Sequence, residues 1–259
     1  IRDKLVTGVQ TCALPIYTAV GDRFDLVKTT KEEVRPQNIG LATSVDLLNW
    51  QRHPLSIDEP LIPNPGRGLF DGLGWRDPDV VKIGKTYYCL IAAKLLPNAD
   101  YNIKNELEGG AIAVLKSDNL YDWSNSEAEI LLVSNHFFQI EVPQLVWKIE
   151  DRKKTYYLIV SAESGDVSRS RKESFPEEEC LTGTYVFQSE PLSFHSDQFP
   201  HFETPAKIIA PGLYAGKFPD PGNPVGPLYG FEIDTHSKEY LGGIISQPSV
   251  HLDRDNSPE

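Results

Sequence analysis

Arg76-Asp77-Pro78-Asp79-Val80-Val81-Lys82-Ile83-Gly84-Lys85-Thr86-Tyr87-Tyr88-Cys89-Leu90-Ile91 decides the fold, because its pattern returns downstream. Glu141-Val142-Pro143 leads into Leu145-Val146-Trp147-Lys148-Ile149, and Lys154-Thr155-Tyr156-Tyr157-Leu158-Ile159-Val160 follows. Both copies carry Lys-Thr-Tyr-Tyr at the same place, and each has one acid just ahead of its first apolar run. Runs of this length, rich in β-branched and aromatic residues, read as strands, with Gly84-Lys85 and segment 150–153 as the hairpin turns.

A second marker keeps the same period. Ser44-Val45-Asp46-Leu47-Leu48-Asn49-Trp50 matches Ser117-Asp118-Asn119-Leu120-Tyr121-Asp122-Trp123, with a looser copy at Ser189-Glu190-Pro191-Leu192-Ser193-Phe194. These markers end 73 and 71 residues apart (50 to 123, 123 to 194), and the Tyr-Tyr pairs lie 69 apart (87 to 156). A fixed period outranks local propensity as a guide to architecture. Each unit has room for a meander of about four strands and a long loop, and such units stacked radially make a β-propeller. Apolar runs at 39–43 and 111–115 supply a strand before each Ser-to-Trp marker, and 20 prolines and 19 glycines punctuate the chain. The expected unit boundaries fall near Gly72, Phe138 and Pro205. Segment 165–180, charged and Ser-rich, reads as a solvated surface loop. The last unit reads as strands at 212–218, 227–233 and 240–246, with 248–252 as the start of a fourth.

Bulk properties narrow the function classes. The chain has 259 residues, 40% hydrophobic and 24% charged, an ordinary globular composition that fits one large domain or two small ones. A net charge of −12 without a basic cluster argues against nucleic-acid binding, where Lys and Arg must neutralise phosphates. No stretch approaches the roughly 18 apolar residues of a membrane span. Cys12, Cys89 and Cys180 form no Cys/His cluster, so neither zinc nor a disulfide framework is expected, and Cys89 reads as a small buried hydrophobe. No metal or cofactor is expected, and both secreted and cytoplasmic locations stay open.

Ile1 to Ile16 matches the translated read of a widely used sequencing adapter, with Lys4-Leu5 at its variable index. Residues 1–16 are therefore expected to be non-native, like a fusion scar, with a short strand ending in proline as the alternative. On this expectation Cys12 is not native, and residues 17–259 form a single partial propeller domain whose natural beginning is missing.

A repeat that sets one acid at the same level of successive units aims Asp77 and Glu141 at a common axis. Two acids around one sugar-sized cavity are the minimum apparatus for cutting a glycosidic bond. Together these residues resemble the five-bladed propeller glycosidases, most closely glycoside hydrolase family 32, which includes invertases, levanases and inulinases. The family's Arg-Asp-Pro motif is Arg76-Asp77-Pro78 here, and its Glu-Cys-Pro motif is Glu141-Val142-Pro143, with Val in place of Cys. The Ser44 to Trp50 marker matches an outer-strand signature of its first blade, and Leu213-Tyr214-Ala215 resembles a Tyr-Ala of its fourth. The resemblance covers most of residues 17–252. It implies an all-β five-bladed propeller truncated at both ends, with blade one partial and blade five largely missing.

Read through that resemblance, Glu141 is the general acid and Asp77 the transition-state stabiliser that binds sugar hydroxyls. A general acid must be protonated near neutral pH, a state that burial beside a second carboxylate supplies. Arg76 would orient Asp77 and keep it ionised, with a blade-to-blade ion pair as its structural alternative. Trp75 and Trp147 are candidate sugar platforms, with core packing as the alternative; Trp50 and Trp123 hold repeat positions and read as structural. Asp79 is set aside because it alternates to the other strand face. The family's nucleophile lies in an Asn-Asp-Pro-Asn-Gly motif of blade one that this chain lacks, and Asp22 and Asp25 read as loop residues. The implied function is retaining hydrolysis of terminal fructosyl linkages in sucrose or fructans by the complete parent, with this chain itself inactive. An inverting family 43-like arabinofuranosidase or xylosidase and a non-catalytic carbohydrate-binding propeller are the alternatives.

Overall fold

The computed structural model describes residues 15–20, 27–28, 33–34, 36–202, 205–236, 239–250 and 252. Asp22, Asp25 and Cys12 lie outside the described residues, as does most of segment 1–16. Pro15 and Ile16 are described, and Ile16 opens the first strand.

Four antiparallel sheets follow one another along the chain. The first joins β1 (Ile16–Val20), β4 (Gln37–Thr43) and β5 (Gln51–Arg52) in that order, with a small pair β2 (Val27–Lys28) and β3 (Glu33–Val34) inserted. The second runs β6 (Phe70–Ile83), β7 (Thr86–Leu95), β8 (Gly110–Ser117) and β9 (Glu129–Ser134). In the third, β10 (Glu141–Glu150), β11 (Lys153–Ala162), β12 (Gly183–Gln188) and β14 (Lys207–Pro211) pair in order, and β13 (Leu192–Ser193) adds to β11. The fourth holds β15 (Leu213–Lys217), β16 (Leu228–Ile233) and β17 (Tyr240–Gln247). The first strand of each sheet lies against the first strand of the next, β1 on β6, β6 on β10 and β10 on β15. This is the β-propeller arrangement, with each meander a blade.

The apolar runs read as continuous because the second and third blades are buried on both faces. Along β7, Tyr88, Leu90 and Ala92 face the third blade, whereas Cys89, Ile91 and Ala93 face the first. Along β11, Tyr156, Leu158 and Val160 face the second blade, whereas Tyr157 and Ile159 face the fourth. Each Tyr-Tyr pair of the repeat therefore sends the ring of its second or first member into one shared core between blades two and three. The hairpins match expectation: Gly84 has φ 60°, and Asp151 and Arg152 have φ 48° and 62°, the left-handed pair of a two-residue turn that follows the sheet twist.

The Ser-to-Trp marker is a hydrogen-bonded turn, built twice. Ser44 Oγ accepts from Leu47 N at 2.8 Å, Asp46 Oδ1 accepts from Asn49 N at 2.7 Å, and Trp50 Nε1 donates to Leu47 O at 3.2 Å. Asn119 Oδ1 accepts from Asp122 N at 2.8 Å and Trp123 Nε1 donates to Leu120 O at 3.1 Å in the second blade.

Two expectations change. The fourth sheet begins at Leu213 and not near Pro205, because 207–211 is the outer strand of the third blade. Segment 165–180 is not merely solvated. It holds a short helix, α1 (Arg169–Ser174), capped by Ser168, and the Arg171 side chain is fully buried. The Arg171 guanidinium donates to Glu179 O at 2.9 Å and to Ala206 O at 3.0 Å, which pins the excursion to the third blade. Segment 248–250 carries no strand.

Candidate active site

The inner strands of three blades share one irregularity. On β6 the register passes from Arg76↔Ala92 to Asp79↔Leu90, so three steps on one strand meet two on its partner. The same extra residue enters β10 between Glu141↔Ser161 and Gln144↔Ile159, and β15 between Tyr214↔Phe231 and Lys217↔Tyr229. Each bulge holds a non-glycine residue in the left-handed region: Asp77 at φ 56°, Val142 at φ 50° and Ala215 at φ 55°. A bulge of this kind turns the strand and re-aims the side chain before it. Strained backbone repeated at one level of three blades marks the place where the fold aims chemistry.

The residues before the strained positions are Arg76, Glu141 and Tyr214, and their side chains meet. Arg76 Nε donates to Glu141 Oε1 at 3.0 Å, and its Nη2 donates to the same oxygen and to Gln139 Oε1. Arg76 Nη1 donates to Gln37 Oε1 at 3.2 Å. Tyr214 Oη donates to the other carboxylate oxygen, Glu141 Oε2. Asp77 stands beside them, its Oδ2 3.8 Å from Arg76 Nε. Arg76 is 13% exposed at its side chain, Glu141 24% and Asp77 26%, so both acids remain open to solvent on one side.

The bulges also staple the blades together. Asp77 N donates to Thr18 Oγ1 of β1 at 2.8 Å, Val142 N to Asp77 Oδ2 at 3.1 Å, and Ala215 N to Ser161 Oγ at 2.9 Å. Each strained N–H is thus satisfied by a side chain of the preceding blade. Three residues beyond the strained positions, Leu145 N donates to Asp79 Oδ2 at 3.2 Å, and Phe218 N to Gln144 Oε1 at 2.8 Å. Asp79 therefore faces the same neighbouring blade as Asp77 and not the opposite one, as residues two apart on a strand do. Lys217 Nζ closes the group, donating to Pro143 O at 2.6 Å and lying 3.5 Å from Asp79 Oδ1.

Proton affinities follow from these neighbours. Burial pushes the Asp77 carboxyl above the ordinary range, more than the Val142 N–H and the Arg76 charge pull it down. Burial first, and the Glu141 carboxylate next, hold the Tyr214 hydroxyl far above its ordinary value, so it stays a donor. Burial opposes the Arg76 charge, but Glu141 and Asp77 outweigh it and raise the guanidinium further. Among the described residues, no group of three His, Cys, Asp or Glu side chains is placed to hold a metal ion.

Arg76, Asp77 and Glu141 thus come together, and the two tryptophans do not join them. Trp75 is 1% exposed, edge-on to Phe70 in the core between blades one and two, so it packs and offers no face to a sugar at Glu141. Trp147 is half-buried near the far end of β10 and belongs to a different cavity. Arg76 bonds Glu141 more closely than Asp77, unlike the orienting role expected for it. Tyr214, Gln37, Gln139 and Lys217 complete the cluster without having been singled out as site residues. The signal for Tyr214 was available, since Tyr214-Ala215-Gly216 occupies the place of Arg76-Asp77-Pro78 and Glu141-Val142-Pro143.

No family model and no curated protein matches this chain. Solved structures do. The Bombyx mori beta-fructofuranosidase of glycoside hydrolase family 32 aligns with a TM-score of 0.58 and 16% identity over 91% of this chain and 43% of its own. A family 32 glycoside hydrolase from Bifidobacterium adolescentis aligns with 0.56 and 12% over 96% of this chain and 43% of its own. Bacillus subtilis levansucrase aligns with 0.55 and 11% over 93% and 65%. The chain spans less than half the length of the two family 32 enzymes. At such identities the likeness speaks for the fold, the β-propeller on which those glycosidases are built.

Proposed function

We propose that this chain is a propeller of the fructosidase type and carries the acid and sugar-binding part of a glycoside hydrolase site for terminal fructosyl linkages in sucrose or fructans. The observation that supports the reading best is the meeting of Glu141 and Asp77, from adjacent inner strands, around Arg76.

In this reading Glu141 gives its proton to the glycosidic oxygen as the bond to the sugar breaks. Asp77 accepts hydrogen bonds from sugar hydroxyls, and these strengthen as positive charge grows on the ring. Arg76 and Tyr214 fix the two oxygens of Glu141, so the acid meets the leaving group in one orientation. A retaining reaction needs a second carboxylate about 5–5.5 Å from the acid. Asp77 is committed to the Val142 N–H and is read as the stabiliser; the nucleophile is assigned to the Asn-Asp-Pro-Asn-Gly motif that this sequence lacks, so the 259-residue chain is expected to bind sugar without cleaving it.

The test is sucrose titrated into the isotope-labelled chain, with the amide resonances of Val142 and Ala215 followed by NMR. Both should shift saturably, Asp77→Asn should weaken the response about tenfold or more, and no fructose should be released. Amides that do not move, or a response indifferent to Asp77→Asn, refute the sugar site. Release of fructose by this chain refutes the assignment of the nucleophile.

A further inference from the structure

Toward the other end of β6 and β10 lies a cavity that the proposed chemistry leaves unused. It measures about 260 Å³ and is walled by the Gly84 hairpin, Trp147, Lys154, Tyr156 and the loop 194–197. Trp147 is six residues along β10 from Glu141, which at about 3.3 Å per residue is roughly 20 Å. The two places are therefore separate.

Its lining combines groups that protein interiors do not normally leave idle. Tyr156 is 1% exposed, and its hydroxyl has no hydrogen-bond partner. A buried, unbonded hydroxyl costs about 1–3 kcal/mol. Burial first, with help from Tyr88 and Asp197, pushes that hydroxyl up to about 12, so it is a standing proton donor. Lys154 Nζ lies 5.8, 5.5 and 5.7 Å from the ring centres of Trp147, Tyr156 and Phe194, and among the described residues it makes no ion pair. The Asp197 carboxylate rests over the Gly84 hairpin, where a Cβ would meet its Oδ1 at 2.7 Å, and it too makes no ion pair among the described residues. Gly84 has φ 60°, so this turn and the close approach of the acid both call for glycine.

The mixture selects a class of ligand. An anion would suit Lys82, Lys154 and Tyr156 but face the Asp197 charge and the ring faces of the wall. A cation would suit Asp197 and the rings but face Lys154. An apolar ligand would leave the Tyr156 hydroxyl unbonded. A neutral polyhydroxylated ring satisfies all of them, because its hydroxyls donate to Asp197 and accept from Lys154 and Tyr156 while its apolar face lies on an aromatic wall. We propose that this cavity is a second sugar-binding site, taking one neutral sugar ring against Trp147 with Lys154, Asp197 and Tyr156 as its polar partners. Such a site would hold part of a longer saccharide, or a neighbouring chain of it, far from Glu141, and it stands whether or not bond cleavage occurs there.

The experiment follows the indole N–H resonance of Trp147, assigned with Trp147→Phe, while D-fructose, D-glucose, D-xylose, sucrose or inorganic phosphate is added to the full chain. At least one sugar should shift it saturably. Asp197→Asn, at an exposed position, and Lys154→Gln, at a half-buried one, should each weaken that sugar about tenfold or more, and Glu141→Gln should leave it unchanged. The proposal is overturned if no sugar moves the resonance, if phosphate moves it at lower concentration than any sugar, or if both variants bind like the parent. The Val142 and Ala215 amides report the other site independently, so failure of one site is visible without failure of the other.

Discussion

Arg76→Met removes the one guanidinium that both site acids share and keeps an unbranched stem to fill its channel. Arg76 Nε lies 3.0 Å from Glu141 and 3.8 Å from Asp77. At about 4 Å and an effective dielectric of about 20, each contact is worth about 4 kcal/mol before desolvation is counted. Deleting the guanidinium recovers several kcal/mol of its own desolvation, and breaking a fully buried pair costs about 3–5 kcal/mol in net terms. Here water reaches Glu141 and Asp77, 24% and 26% exposed, so we expect a net loss of about 2–3 kcal/mol at pH 7.

The loss has a sign in pH. Burial already raises the Asp77 carboxyl against the pull of the Val142 N–H and Arg76. Without Arg76 it rises further. A carboxyl raised in the folded state binds more protons there than in the unfolded chain, so stability falls as pH climbs from the unfolded value, about 4, through the folded one. Arg76→Met should therefore be less damaging at pH 4 than at pH 7. Urea unfolding followed by tryptophan fluorescence at the two pH values measures both quantities. A loss below about 1 kcal/mol at pH 7, or the same loss at both, would refute Arg76 as the charge that holds the acids.

Three further outcomes follow from the same contacts. Tyr214→Phe deletes a charge-assisted hydrogen bond to Glu141 without opening a cavity and should cost about 1–2 kcal/mol; unchanged urea midpoints would show the bond to be unimportant. Asp79→Ala and Gln144→Ala each leave one inter-blade N–H without its acceptor, Leu145 and Phe218 respectively, and should each cost about 1–3 kcal/mol while accelerating hydrogen exchange at that amide and not at the other. Burial, with Asp79 adding to it, pushes the fully buried Cys89 thiol far up, so it should react with a thiol reagent only on unfolding; modification in native buffer at the rate of a free thiol contradicts its placement in the core.

The blades were legible because their signal is periodic and redundant. Tyr87-Tyr88 and Tyr156-Tyr157 could be read as strands because both faces of β7 and β11 are buried, and the Ser-to-Trp marker could be read as a repeat because its turn needs a hydroxyl, an Asp or Asn, and an indole N–H at fixed steps. Arg171 was not legible as a core residue. Its burial depends on the carbonyls of Glu179 and Ala206, the second of them 35 residues away and just ahead of β14, and nothing local announces that a charged Ser-rich stretch will be pinned through one guanidinium. Trp75 and Trp147 failed as partners of Glu141 for a related reason: a tryptophan's neighbours across a blade are set by register. Trp75 alternates with Arg76 and so points into the core between blades one and two, and Trp147 lies beyond the extra residue of β10.

That extra residue also corrects how the acids relate to the repeat. Sequence pairing sets Asp77 beside Glu141 as the acid of each unit, but the registers set Arg76, Glu141 and Tyr214 at one level and Asp77, Val142 and Ala215 at the next. The axis-facing ring is therefore cation, acid and phenol, in which a single carboxylate has a donor on either side. Asp77 belongs to the strained level, where its carboxylate already serves the Val142 N–H as Thr18 serves the Asp77 N–H one blade earlier. Two acids at one level would repel and resist sharing a site. Displaced by one residue, and with Arg76 between them, the two acids can share one site in the two different roles proposed for them, proton donor and hydroxyl-binding stabiliser, on adjacent blades. The bulge fixes the direction in every blade, and the residue type set at each level then decides the chemistry.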